Sequence, residues 1–308
     1  MLAMILKRLM TAIPTIFVII VVSFLIIKLA PGSPFDSQTQ LDPEQIANLE
    51  AAYNLDKPIL VQFWSYFSGL LRGDMGQSFV FRDRTVSEII AQGFPVSAQI
   101  GLATVVVGTV LGVSLGLIAA LHKNSLVDYG VMSLTMTGIA VPTFVTAPLM
   151  VLFFGLTLGW LPISGWEGGD IRHMILPVAA LALPKAGIIA RITRGGMLDV
   201  LRANHVRTAR SKGLPERLVV WRHTLRAGLM PVVSYLGPAI ATVMTGSVVI
   251  EQIFGLPGIG RSFIEGAINR DYPVVMGITI LYATLIILMN LLVDIAYRFL
   301  DPRAEQSS

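Results

Sequence analysis

Cysteine is absent from the 308 residues, and charged residues make up only 14% of them. The first absence excludes a disulfide framework, a thiolate nucleophile and any metal site built on cysteine. The second excludes an ordinary water-facing surface, because soluble globular chains carry roughly a quarter charged residues. Length alone would suit about two soluble domains, but hydrophobic residues fill 54% of the chain and the mean hydropathy is +0.71. A Gly-x-x-x-x-Gly-Lys-Ser/Thr phosphate loop is missing too, and the glycine-rich stretch Gly255 to Arg261 lacks its lysine. The chain is therefore not expected to be an enzyme. No catalytic residue, metal ligand or resident cofactor is assigned to it.

What is present is long apolar runs. A span needs about 20 mostly apolar residues to cross roughly 30 Å of hydrocarbon. Six stretches qualify: Leu9–Ala30, Val96–Leu121, Tyr129–Leu158, Met174–Ala190, Leu229–Ile250 and Pro273–Tyr297. The fourth is the shortest and carries Pro177, Pro184 and Lys185; the lysine is expected near its cytoplasmic end, snorkelling towards it. With a cytoplasmic N-terminus, 15 of the 23 Lys and Arg residues fall inside and seven outside, Lys28 sits at the outer end of the first span, and 13 of the 19 acids lie outside. This positive-inside pattern explains the net charge of +4 without nucleic acid. The expected topology is six helices, N-in and C-in. The first span is read as retained rather than cleaved, since it is longer than a signal core and Ala30 is followed by Pro31.

The expected fold is all-α and polytopic, divided into a cytoplasmic N-terminus (1–8), a first transmembrane helix (9–30), an extracytoplasmic loop with short helices (31–95), a core domain (96–300) and a cytoplasmic tail (301–308). In the outer loop, Asp42-Pro43-Glu44 combines a capping residue, a proline suited to the first helical position and an acid in the first turn, so a helix should start there. Asp56-Lys57-Pro58 opens another, through Trp64, Tyr66 and Phe67 towards Gly69, with aromatics suited to the membrane boundary. Gly108, Gly112 and Gly116, followed by Ala120, form a ridge at four-residue steps that admits a neighbouring helix backbone. Pro142 and Pro148 in the third span and Gly237-Pro238 in the fifth should bend or open those helices. Asp294 is expected to pair with Arg298 at the inner boundary, and Glu251 lies at the outer end of the fifth span. No acid is placed near the midplane, where ion-coupled carriers hold theirs.

The longest cytoplasmic segment, about 191–228, carries two short amphipathic helices. Met197, Leu201 and His205 recur at four-residue steps, widened by Val206 and Ala209. Gly213 stops that helix, and Pro215 opens a second whose apolar positions are Leu218, Trp221, Leu225 and Leu229. Meeting at a Gly-Leu-Pro turn, they make a knob whose exposed side bears Arg202, Arg207, Arg210, Lys212 and Arg217.

The run Val206-Arg207-Thr208-Ala209-Arg210-Ser211-Lys212-Gly213-Leu214, with Arg222-His223-Thr224-Leu225-Arg226 and Met230-Pro231-Val232-Val233, closely resembles the coupling loop of permeases in ATP-binding-cassette (ABC) importers, and more narrowly their peptide and nickel branch. Where the wider family has Glu-Ala-Ala, this chain has Arg207-Thr208-Ala209, as the peptide branch does, so a contact resting on that glutamate is not carried over. Leu29-Ala30-Pro31-Gly32-Ser33-Pro34-Phe35, Phe94-Pro95-Val96-Ser97, Gly246-Ser247-Val248-Val249-Ile250-Glu251, Phe254-Gly255-Leu256-Pro257-Gly258-Ile259-Gly260 and Asn269-Arg270-Asp271-Tyr272 resemble the B-type subunits of oligopeptide permeases, so the resemblance runs end to end.

The resemblance implies a type I importer permease fold in a bacterial inner membrane. It also implies a homologous second permease, two cytoplasmic ATPases that bind the ATP and Mg, and an extracytoplasmic peptide-binding protein. Arg207, Thr208, Ala209, Lys212, Gly213 and Leu214 are then the coupling residues, Ala209 and Gly213 by close packing and Arg207 and Lys212 by polar contact. The substrate path is not assigned to any residue. Dipeptide or nickel-chelate import, an ion-coupled carrier acting alone, and an assembly factor without a solute remain the alternatives.

Overall fold

The computed structural model describes residues 2–29, 42–81, 83–244 and 248–300, excluding the side chains of 2–4, 43, 46, 47, 49, 52 and 296–300. Parts of the Leu29–Phe35 and Gly246–Glu251 motifs, the tail 301–308 and the Arg298 side chain expected opposite Asp294 thus lie outside the described residues. Regular structure among the described residues is helical: α1 (Leu2–Leu29), α2 (Pro43–Ala52), α3 (Ile59–Leu71), α4 (Val86–Leu121), α5 (Leu126–Ala140), α6 (Thr143–Met150), α7 (Ile171–Leu201), α8 (Asn204–Ser211), α9 (Glu216–Leu218), α10 (Leu225–Gly228), α11 (Met230–Met244), α12 (Val248–Ile253), α13 (Ile259–Ile268) and α14 (Tyr272–Leu300). Five helical stretches are long and apolar enough to cross a membrane, or six if α5 and α6 with its π-helical extension count as one bent span. Many of their large apolar side chains are exposed, as Ile13 and Leu102 are at 70% and 58%. That surface would be costly in water and is at home in lipid.

The third apolar run is not one straight helix. α5 ends at Ala140, Val141 and Pro142 are extended, and the chain re-enters helix in α6 at an angle of 100°. Proline disfavours helical backbone at the residue before it and offers no N–H of its own. α6 then widens into a π-helical turn over Val151–Thr157, where the Thr157 hydroxyl donates to the Leu152 carbonyl at 2.8 Å.

The fourth apolar run, expected to be the shortest span, lies within a 31-residue helix, α7, that continues to Leu201. Neither Pro177 nor Pro184 ends it. Lys185 stands midway along α7.

The chain forms two compact units. One comprises residues 2–96 and 257–285. Its core is Val86, Ile89, Val274 and Ile278, flanked by Met75, Phe81 and Phe263, and Phe24 and Phe17 of α1 meet Phe63 and Phe67 of α3 at centroid distances of 5.3 and 5.5 Å. Asp271 of the resemblance motif is buried here. It accepts hydrogen bonds from the Ser78 hydroxyl and, at 3.1 and 3.3 Å, from the Phe79 and Val80 amides, so it anchors the loop before α4. The other unit comprises residues 97–256 and 286 onwards, and α7 is its central element, packing on α5, α6, α10 and α11.

Candidate functional site

The segment after α7 folds into a small knob whose parts are arranged differently from the sequence pattern. α7 ends at Leu201, Ala203 turns extended, and α8 begins at Asn204. Gly213 ends that helical run at φ +75°, a conformation open to glycine because it has no Cβ. Its amide donates to the Arg210 carbonyl at 2.9 Å. Pro215 then precedes α9 as its cap.

The knob has its own small core. Val206, Ala209 and Val219 are buried together, with Val200 and Leu214 packed against them. Ala209, expected at a docking face, is only 5% exposed and lies inside. Its small side chain is used by the close approach of α8 to Val219. Arg207, Thr208, Lys212 and Gly213 lie on the exposed surface, and Leu214 is half-buried. Of the basic residues, Arg210 is engaged within the knob, bonding Glu216 through Nε at 3.1 Å and Nη2 at 2.5 Å. That guanidinium holds the Glu216 carboxyl below the usual carboxylate range, and the carboxylate raises Arg210 in turn. The pair staples the two sides of the Gly-Leu-Pro turn.

The second helix departs from its expected stripe. Trp221 and Leu218 are exposed, whereas Val219, Val220 and Thr224 are buried. The cause is a π-helical turn over Val219–Thr224, closed by the Thr224 hydroxyl on the Val219 carbonyl at 3.0 Å. Its wider turn rotates the buried face away from the 3.6-residue register. His205 Nε2 lies 3.1 Å from the His223 carbonyl and fastens α8 to this turn.

The knob is attached through α7 to the glycine ridge of α4. A Cβ at Gly108 would stand 3.2 Å from Lys185 Cβ, and one at Gly112 only 2.6 Å from Ile189 Cβ and 2.7 Å from the Ala186 carbonyl oxygen. At Gly116 it would meet the Ala190 carbonyl and, at 2.6 Å, Thr193 Cβ. Ala120 continues the row into a cluster with Met197 and Val220 at the base of the knob. On another face of α7, a Cβ at Gly187 would stand 2.5 Å from the Thr135 carbonyl of α5.

Asp128, in the first turn of α5 and 1% exposed at its side chain, takes both Arg194 Nε and Nη2 of α7 at 2.6 Å. The fork ties α5 to α7 about two turns before that helix ends at Leu201.

Residues 112–306 match the family "Binding-protein-dependent transport system inner membrane component", and residues 1–101 match its N-terminal companion family. The chain is 51% identical over 303 residues to the oligopeptide transport system permease protein OppB of Salmonella typhimurium (strain LT2), covering 98% of this chain and 99% of that protein. OppB of Escherichia coli (strain K12) gives the same identity and coverage. The dipeptide transport system permease protein DppB of Bacillus subtilis (strain 168) is 41% identical over 297 residues, 96% of each chain. Among solved structures, a chain of the MetNI methionine ABC transporter in an inward-facing conformation superimposes with a TM-score of 0.59 at 17% identity, covering 69% of this chain and 96% of that one. A chain of an amino acid ABC transporter gives 0.54 at 17% identity, with 69% and 94% covered. These two likenesses show a shared fold.

Proposed function

We infer the function from one premise: this chain belongs to the binding-protein-dependent transport system inner membrane components, and within them it is similar end to end to the OppB oligopeptide permeases. It is an inner-membrane permease subunit of an ABC-type peptide importer. The observation that carries this reading is 51% identity across 98% of the chain, over a fold shared with ABC transporter permeases. The reading as an ion-coupled carrier acting alone gives way to that family membership.

The finer mechanism is our proposal. Six spans run N-in and C-in, so the knob of α8 to α10 faces the cytoplasm. Two ATPase subunits bind ATP and Mg and hold the knob in a groove. A homologous second permease completes the path, and an extracytoplasmic binding protein delivers the peptide. The chain's own part is mechanical. When the ATPases close on ATP, the knob moves with them. The stapled Gly-Leu-Pro turn and the buried Val206–Ala209–Val219 core keep the knob from deforming. α7 runs from the knob's base into the membrane without a break, so it carries the displacement to α4 along the glycine ridge and to α5 through Asp128–Arg194. ATP then shifts the population between inward- and outward-facing arrangements by its differential binding.

Gly213 provides the test. No atom lies within 4 Å of a Cβ built there, yet its φ of +75° strains any L-residue. Gly213→Ala and Gly213→Trp should therefore destabilise the isolated chain alike, by about 1–2 kcal/mol. In the assembled importer, Gly213→Trp should abolish peptide uptake while Gly213→Ala retains most of it, because only the indole fills the space reserved for the ATPase. Equal uptake by the two variants at normal membrane levels would remove Gly213 from the docking face.

A further inference from the structure

We propose that Glu167, Asp170 and His173 form a binding site for a divalent transition-metal ion of the zinc class, at the N-terminal end of α7. Each residue offers one ligand atom, and these atoms lie within 4.8 Å of one another. His173 Nε2 stands 3.8 Å from Glu167 Oε1, and Nδ1 stands 3.8 Å from Asp170 Oδ2. The His173 side chain is 7% exposed, and its Nδ1 has no hydrogen-bond partner. A buried, unpartnered ring nitrogen costs about 1–3 kcal/mol. As an ion pair the arrangement is poor, since 3.8 Å is beyond hydrogen-bond length on both sides of the ring.

An ion takes one nitrogen of the ring, here the unpartnered Nδ1 beside Asp170, and Glu167, which stands by Nε2, has to swing round to join it. Zinc bonds to nitrogen and oxygen are about 2.0–2.2 Å, which at a tetrahedral angle sets ligand atoms roughly 3.3–3.5 Å apart. The three ligand atoms lie within 4.8 Å of one another, so closing to that spacing takes a small shift of Asp170 and a movement of up to about 1.5 Å from Glu167, whose side chain is 75% exposed. Asp170 is already oriented, because its Oδ1 accepts the Arg172 amide at 3.2 Å as the cap of α7 and leaves Oδ2 directed at the ring. Glu167 is brought over His173 by a loop in which Gly165, Glu167, Gly168 and Gly169 all have positive φ.

The donor set selects the ion. One imidazole nitrogen with two carboxylate oxygens suits zinc, cobalt or manganese. Calcium and magnesium require more oxygen ligands and tolerate imidazole poorly, and the site has no thiolate or thioether for cuprous ion. Three protein ligands leave a further position to water. Bound there, the ion joins the 165–170 loop to the start of α7, the helix that continues to the knob. In the proposed topology this end faces the outside, so the ion comes from the external medium.

The test uses the full-length, tag-free chain in detergent, stripped with a chelator and titrated with ZnCl2 in a calorimeter, with CoCl2 as a spectroscopic probe. One zinc per chain should bind with micromolar or tighter affinity, and cobalt should show the visible absorption of a four- or five-coordinate nitrogen–oxygen site. Glu167→Gln removes a ligand from an exposed side chain, so its fold is kept. It should weaken zinc at least about ten-fold and reduce the cobalt bands, as should Asp170→Asn. No stoichiometric zinc in the wild-type chain, or an affinity unchanged by Glu167→Gln (an adventitious ion only), overturns the proposal.

Discussion

Asp128 and Arg194 meet through two hydrogen bonds of 2.6 Å with the acid almost wholly withdrawn from solvent. A buried pair of this kind adds little against a well-packed apolar pair, but losing one partner strands the other charge. Asp128→Ala should therefore destabilise the chain by about 3 kcal/mol, the lower end of the usual range because Arg194 keeps 28% of its side-chain surface exposed. The double variant Asp128→Ala/Arg194→Met should recover at least half of that loss in a detergent melting experiment. If the double variant is no better than the single, the fork contributes net stability beyond charge compensation. The sequence offered no hint of this pair. Asp128 stands at the edge of an apolar run, where an acid reads as loop, and Arg194 becomes its partner only because α7 continues past the expected end at Ala190. Gly213 was legible, since a glycine before Leu-Pro marks a helix end. Ala209 was legible as part of the apolar stripe with Val206, but not that this stripe packs on Val219 inside the knob.

At the scale of elements, the glycine ridge of α4 was legible as a pattern, while its partner was not: only the structure shows that Gly108, Gly112 and Gly116 face α7. The prediction it supports contrasts two glycines. Gly112→Ala forces a Cβ to within 2.6 Å of Ile189 and 2.7 Å of a backbone carbonyl, so α4 and α7 must separate. The cost should be about 1–3 kcal/mol, as for other overpacked cores. Gly130→Ala in α5 has nothing within 4 Å and should be neutral or stabilising by up to about 1 kcal/mol. Melting temperatures of the two purified variants decide it, and equal values would mean that the ridge yields at no cost. Two departures at this scale have one cause each. Pro177 and Pro184 suggested a short, weak fourth span, yet a helix walled by neighbours tolerates prolines because surrounding groups satisfy the freed carbonyls. The π-helical turn at Val219–Thr224 moved the buried face of the second knob helix, and a 3.6-residue pattern cannot register such a widening. The same blindness hid the Glu167-x-x-Asp170-x-x-His173 cluster, whose members converge only through a loop of positive-φ residues.

For the whole molecule, the arrangement of lysines and arginines is the one signal that sets orientation, and the absence of cysteine makes it directly testable. Any cysteine introduced is unique, so a membrane-impermeant maleimide reports its side without correction. Ser211 is exposed on the knob and Ser164 is exposed in the loop before α7. With six spans, N-in and C-in, Ser164→Cys should label in intact cells, while Ser211→Cys should label only after permeabilisation. The pair also fixes the count locally. α7 lies between the two positions, so they must fall on opposite sides if it crosses once. The bent α5–α6 segment is tested in turn by Asn124→Cys, in the turn between α4 and α5. If α5 and α6 together form one span, Asn124→Cys should share the protection of Ser211→Cys. If the 100° bend instead returns the chain to its starting side as a re-entrant loop, Asn124→Cys should label from outside together with Ser164→Cys. That second outcome would reduce the spans to five and place the knob and the N-terminus on opposite faces, so that the knob could meet a cytoplasmic ATPase only with the N-terminus outside.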